Sequence, residues 1–262
     1  MLATRKLLAT VLVAGAAVAG LTGCGGDKDP SSAAPLVRPI STTTEAGPFA
    51  GETGERVLHD AEQAMLTAKS MTIDLHITGD DDEPLHMTAA VTASGKCAAA
   101  VDDDGGRFQV IGTGSAYYMK AEAAYWKAKG GANGSVIAQL AGGKWLKLPA
   151  GAAKQGGFKE FCDLKTMMTA ASQEDAGQTV TKGRPIEYRG QRVLPLTQHS
   201  PDDGDTRLYV AATGTPYILF TEEDTSDTGT FSGFGEMPHI AAPPADQTVD
   251  FSAFGDPKGF SI

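Results

Sequence analysis

Apolar and polar residues alternate with a period of two along Met71–Thr78, where Ile73, Leu75 and Ile77 interleave with Thr72, Asp74, His76 and Thr78. Leu85–Ala93 repeats the pattern, with Leu85, Met87, Ala89 and Val91 set against His86, Thr88 and Thr92. Side chains on a strand point alternately to opposite faces, so each segment predicts a strand with one apolar and one wet face. The acidic stretch Gly79–Pro84 between them predicts a hairpin turn. Just upstream the period changes. Val57, Leu58, Ala61, Met65, Leu66 and Ala68 recur at helical spacing, with Glu55, Asp60, Glu62 and Gln63 between them. This predicts a helix over Glu52–Lys69, with Thr53 placed to cap its start.

Strand patterns continue over Lys96–Val101, Arg107–Gly112 and Ser115–Lys120. The middle is less regular. Ala121–Lys129 and Ser135–Ala141 predict short helices separated by Gly130, Gly131 and Gly134; Lys144–Leu148 predicts a strand and Glu160–Ala171 a helix. Strands then return at Gln178–Lys182, Ile186–Arg189, Gln191–His199, Thr206–Ala211, Pro216–Glu223 and Gly229–Phe234. Arg189-Gly190 and Ala212–Thr215 read as tight turns. So many turn-separated strands predict a single antiparallel meander in an α+β domain. The Pro-rich Ala241–Ala245 leads into a tail with Val249, Phe251 and Phe254.

The N-terminal segment follows another logic. Arg5 and Lys6 precede an apolar run, Leu7–Leu21, of signal-peptide length and too short for a spanning helix. It ends in Leu21-Thr22-Gly23-Cys24, which resembles the lipobox of bacterial lipoproteins. That resemblance implies cleavage before Cys24 and a diacylglycerol on its thiol; the alternative is an ordinary secretory signal. The expected organisation is a signal over 1–23, a lipid-anchored tether over 24–51 and a folded domain over 52–262. The tether is Gly, Pro, Ser, Thr and Ala with hardly an apolar period, so it is expected to be disordered. As a coil it reaches about 30 Å. The expected location is the extracytoplasmic face of the cell membrane.

Charge narrows the partners. The 262-residue chain carries a formal net charge of −10, and the expected signal removes Arg5 and Lys6 but no acids. A chain this acidic is a poor partner for nucleic acid, where phosphate neutralisation dominates affinity. Anionic head groups would repel it, so membrane attachment must come from the acyl chains. With Cys24 lipidated, Cys97 and Cys162 remain. An even pair in an exported protein reads as a disulfide, the alternative being two free buried thiols. Closing that loop of about 65 residues is worth about 4 kcal/mol in a chain-entropy account.

Catalytic patterns are missing. The chain has no G-x-S-x-G, S-x-x-K or H-E-x-x-H, so it reads as not an enzyme, and nothing calls for a cofactor. His76 and His86 fall on the polar faces of the predicted hairpin and can be neighbours, but no third ligand stands at a fixed spacing, so they read as surface residues. The acidic runs Asp80–Glu83 and Asp102–Asp104 lack the ligand order of a calcium loop and read as solvated turns. The remaining signal is apolar: Ile73, Leu75, Ile77, Met87, Val91, Phe108, Val110, Tyr117, Met119, Leu208, Val210, Ile218 and Phe220 share the inward pattern. They predict either a filled core or the wall of a cavity.

The order of parts resembles the LppX/LprG-like lipoproteins of actinobacteria, within the wider LolA-like half-barrel group. The resemblance is carried by Ala68-Lys69-Ser70 before the first strand, Lys144-Trp145-Leu146-Lys147-Leu148, Arg207-Leu208-Tyr209-Val210 with Gly214-Thr215-Pro216-Tyr217, and Phe231-Ser232-Gly233-Phe234-Gly235 leading to Ile240–Pro244. It implies a strongly curved antiparallel half-barrel wrapping a few helices. It further implies an apolar cavity that binds a lipid or other hydrophobic ligand and carries it across the envelope, with the Gly-flanked segment Ala121–Ala141 as a moving lid. Cys97 and Cys162 depart from the general half-barrel pattern. The alternative is a cell-surface interaction or sensing lipoprotein with a filled core and no ligand, its protein partner unknown.

Overall fold

A computed structural model describes residues 48–78, 84–155, 157–171, 177–201, 204–223 and 227–251. The predicted signal, Cys24, the tether up to residue 47, the acidic run 80–83 and Phe254 lie outside these residues.

Helix α1 (Gly54–Thr67) leads into strands β1 (Ser70–Ile77), β2 (Leu85–Thr92), β3 (Lys96–Asp103), β4 (Gly106–Thr113) and β5 (Tyr117–Ala121). Helices α2 (Ala123–Lys129) and α3 (Gly134–Ala141), strand β6 (Trp145–Leu148) and helices α4 (Ala150–Gln155), α5 (Phe158–Phe161) and α6 (Leu164–Ala171) follow. Strands β7 (Thr179–Lys182), β8 (Ile186–Tyr188), β9 (Gln191–Ser200), β10 (Gly204–Ala211), β11 (Ile218–Glu223), β12 (Thr228–Ser232) and β13 (Thr248–Asp250) complete the chain. The strands form one 13-stranded sheet in the order β13-β6-β5-β4-β3-β2-β1-β12-β11-β10-β9-β7, with β8 also on β9. The sheet is curved and does not close on itself, as the half-barrel reading expects. No helix among the described residues is long and apolar enough to cross a membrane.

Two local differences from the sequence reading have physical causes. The sheet is not a pure antiparallel meander: Thr248–Asp250 of the tail lies parallel to Trp145–Lys147, and so short an edge pairing carries little period of its own. The helix expected over Glu160–Ala171 is broken at Cys162–Asp163. There the Thr166 amide donates to Asp163 Oδ1 at 2.8 Å, and a short carboxylate suits a cap better than a helix interior.

The core lies between the inner sheet face and the helices. Thr53 caps α1 by accepting from the Arg56 amide. This fixes the helix so that Val57, Leu58, Ala61 and Met65 meet Met71, Ile73 and Val91 of the sheet in one cluster. The Cys97 and Cys162 sulfurs are joined, tying β3 to the end of α5 with Cα atoms 5.1 Å apart. Gly112 sits behind this bridge: a Cβ there would stand 2.6 Å from Cys162 Sγ and 3.1 Å from the Tyr117 ring. A side chain at position 112 is therefore incompatible with the bridge in place.

Candidate functional site

The inner wall is built by pairing in register. Ile73 faces Ala89 across β1–β2, Ala89 faces Ala99, Ala99 faces Val110, and Val110 faces Met119. One apolar row thus crosses five strands. Of the predicted wall positions, Ile73, Val91, Val110, Met119, Leu208, Val210 and Ile218 are buried in the main core. Leu75, Met87, Phe108 and Tyr117 are partly buried against it, and Ile77 is half-buried at the end of β1. The helices press into this wall through Trp126, Phe158 and Leu164, all 5% exposed or less.

Phe220 departs from that grouping. It packs with Val193 and Tyr209 in a second cluster on the other side of the sheet. The cause is a β-bulge: Tyr209 pairs with Phe220, but Val210 pairs with Ile218, leaving Leu219 as the extra residue. A bulge reverses the parity of the strand. Strict alternation, which places Ile218 and Phe220 on one face, fails at that point.

Beside α2 and α3 lies a cleft of about 470 Å³, where Phe108, Ala121, Ala123 and Ala138 meet the polar residues Arg107, Gln109, Lys120 and Glu122. Phe108 rests on Tyr125 with ring centroids 4.7 Å apart. Burial, followed by the nearby Asp103 charge, pushes the Tyr125 hydroxyl up to about 12. The α2–α3 pair closes on bare backbone. A Cβ at Gly134 would stand 2.1 Å from the Trp126 carbonyl oxygen, and one at Gly130 would stand 2.3 Å from the same atom. Gly130 and Gly134, two of the three glycines between the predicted short helices, are therefore what lets α2 and α3 fold against each other.

Of the acidic runs singled out from sequence, the described one, Asp102–Asp104, forms a turn and surface pairs. Asp102 binds Arg107 at 2.7 Å and Asp104 binds Lys129 at 2.7 Å, while Asp103 accepts from the Gly105 amide at 2.8 Å. On the outer face of β1–β2, His76 and His86 stand directly across from each other.

Neither a protein-family model nor a curated protein matches the chain. Among solved structures it is similar to LprF from Mycobacterium bovis, at 13% identity and a TM-score of 0.51, over 76% of this chain and all of that one. It is also similar to the lipoprotein LppX from Mycobacterium tuberculosis, at 12% identity and a TM-score of 0.45, over 71% of this chain and 97% of that one. An uncharacterized conserved protein from Thermus thermophilus follows, at 10% identity and a TM-score of 0.36, over 75% of this chain and 98% of that one. The likeness to LprF places the chain in the same fold, the one the sequence resemblance implies.

Proposed function

We propose that this chain is a lipid-anchored protein of the extracytoplasmic membrane face that shelters a lipid or other hydrophobic ligand against the inner wall of its half-barrel. The observation that carries the reading is the cleft beside α2 and α3, where Phe108, Ala121 and Ala138 give it a partly apolar lining. The ligand's acyl chain would enter there and displace α2 and α3 from the wall. Burial of the chain contributes about 0.8 kcal/mol per methylene, offset in part by the helix contacts given up.

The anchor in this reading is a diacylglycerol on Cys24 after removal of residues 1–23, with residues 24–51 as the tether. Two acyl chains hold a protein at a bilayer where one does not. Oxidation of Cys97 with Cys162 fits such a compartment. The LprF fold supports the shape of the carrier and leaves its cargo open.

Uptake of a fluorescent fatty acid by the full chain in detergent tests the ligand site. Saturable uptake that Ala138→Trp reduces supports the proposal; no uptake by the unaltered chain contradicts it. The second reading, an interaction module with a filled core, is favoured by the close packing of Val91, Met119 and Val210, each 0% exposed. It predicts a crosslinked protein partner and no bound lipid.

A further inference from the structure

The outer face of β1–β2 carries a cluster that the hydrophobic-ligand reading does not use. His76 on β1 and His86 on β2 are directly paired across the ladder, and their rings stack with centroids 3.9 Å apart. Asp74 lies two residues before His76 and so projects from the same face. Its Oδ1 is 3.0 Å from His76 Nε2 and 3.7 Å from His86 Nε2. Both imidazoles thus turn the same nitrogen toward one carboxylate oxygen. One ligand atom from each of the three residues falls within 4.8 Å of the other two.

We infer that Asp74, His76 and His86 form a binding site for a divalent first-row transition cation of the zinc class. The donor set decides the class. Imidazole nitrogen suits zinc, copper and nickel, whereas calcium and magnesium take oxygen ligands. Spacing agrees: donors at 2.0–2.1 Å from a tetrahedral ion stand about 3.3 Å apart, between the two distances to Asp74 Oδ1. The cation takes the place now held by the short histidine–carboxylate contacts, and small rotations of the two rings bring both nitrogens onto it. The side chains are 50%, 47% and 40% exposed for His76, His86 and Asp74, so an ion reaches them without opening the fold. Three protein ligands leave at least one coordination position for water or an outside donor, as in open zinc sites.

The ladder prepares the site. Asp102 stands across from His86 on β3 and is held by Arg107 at 2.7 Å. That ion pair keeps the guanidinium on Asp102. Because His76 and His86 belong to different strands, a bound ion would also tie β1 to β2.

Isothermal titration of the untagged full chain in detergent with zinc chloride tests the inference. The expected result is one saturable zinc per chain, no comparable binding of magnesium, and a higher melting temperature with zinc present. His76→Ala and His86→Ala each weaken affinity at least about tenfold. Asp74→Asn, which keeps the shape of the side chain, weakens it too. His199→Ala leaves both affinity and stoichiometry unchanged. The exposed positions of these residues let the variants fold, and unaltered far-UV circular dichroism without metal checks this. Failure of the unaltered chain to bind zinc overturns the inference, as does zinc binding that survives in folded His76→Ala/His86→Ala.

Discussion

The two wings of the sheet share an apolar inner face but treat their outer face in opposite ways. On the β9–β11 wing, Tyr188, Tyr209 and Phe220 cover the outer surface. Tyr188 and Tyr209 stack at 4.2 Å, and both meet Phe220 edge-on. The β8–β9 turn supports this cover: Arg189 and Gly190 both have positive φ, as a two-residue hairpin turn requires. The Arg189 guanidinium thereby lies 5.3 Å from the Tyr188 and Phe220 ring centroids. Glu222 receives the hydroxyls of Tyr188 and Tyr209. On the β2–β4 wing the outer face carries the small residues Ala90, Ala98 and Ala100 among Thr88, Gln109 and Ile111, leaving a shallow groove of about 410 Å³ that reaches Trp145. One wing is packed on both faces and the other on one. The difference teaches where the proposed opening has least to disrupt: the thin wing borders the cleft and the glycine-closed α2–α3 pair, while the thick wing carries an added aromatic layer.

The largest effect is expected on the thick wing. Phe220→Ala removes the ring that both tyrosines meet and costs about 3–5 kcal/mol in denaturant unfolding. A loss below 1 kcal/mol would mean that the outer cluster does not clamp the wing. On the thin wing the comparable role falls to the bridge. Cys97→Ala/Cys162→Ala costs about 4 kcal/mol by the chain-entropy account, and it should raise the rate of fatty-acid uptake by freeing α5 from β3. Unchanged uptake would show that the bridge does not restrain the opening.

Charge sharpens the comparison further. Burial pushes the Glu222 carboxyl up, but the Tyr188 and Tyr209 hydroxyls and the charges of Arg189 and Arg207 more than reverse this, so the group lies below its ordinary value. A depressed carboxylate stabilises the fold above its unfolded pKa and loses that contribution as pH falls through the folded one. Glu222→Gln is therefore expected to cost about 1 kcal/mol at neutral pH, and the difference from the unaltered chain should vanish in acid. Tyr125 gives the thin wing its own limb. Its raised pKa contributes stability that is intact below the ordinary tyrosine value and is lost as pH rises toward about 12, so Tyr125→Phe should flatten the alkaline loss. The smallest effect is Ala98→Val, which partly fills the outer groove and should change stability by no more than about 0.5 kcal/mol.

Most of the fold was legible because its strands alternate cleanly. The hairpin Met71–Ala93 and the strands from Gln178 onward could be read directly, since one buried and one wet face leave a period of two. What escaped depends on long-range pairing or on single residues. The bulge at Leu219 leaves no mark in composition, so Phe220 was grouped with Ile218. The parallel strand Thr248–Asp250 is too short to show a period. Asp163 breaks a helix that periodicity carries straight through. The inner wall was visible as a set of residues, but a filled core and a cavity wall have the same pattern. Asp74 was seen only as the polar partner of Ile73. It joins His76 and His86 only once the β1–β2 register is known.

Native mass spectrometry of the full chain purified from its membrane tests the central claim most directly. The account predicts a non-covalent lipid, released on activation, in addition to the covalent mass on Cys24. A protein carrying only that covalent mass, or none, with no further adduct under gentle conditions would contradict it.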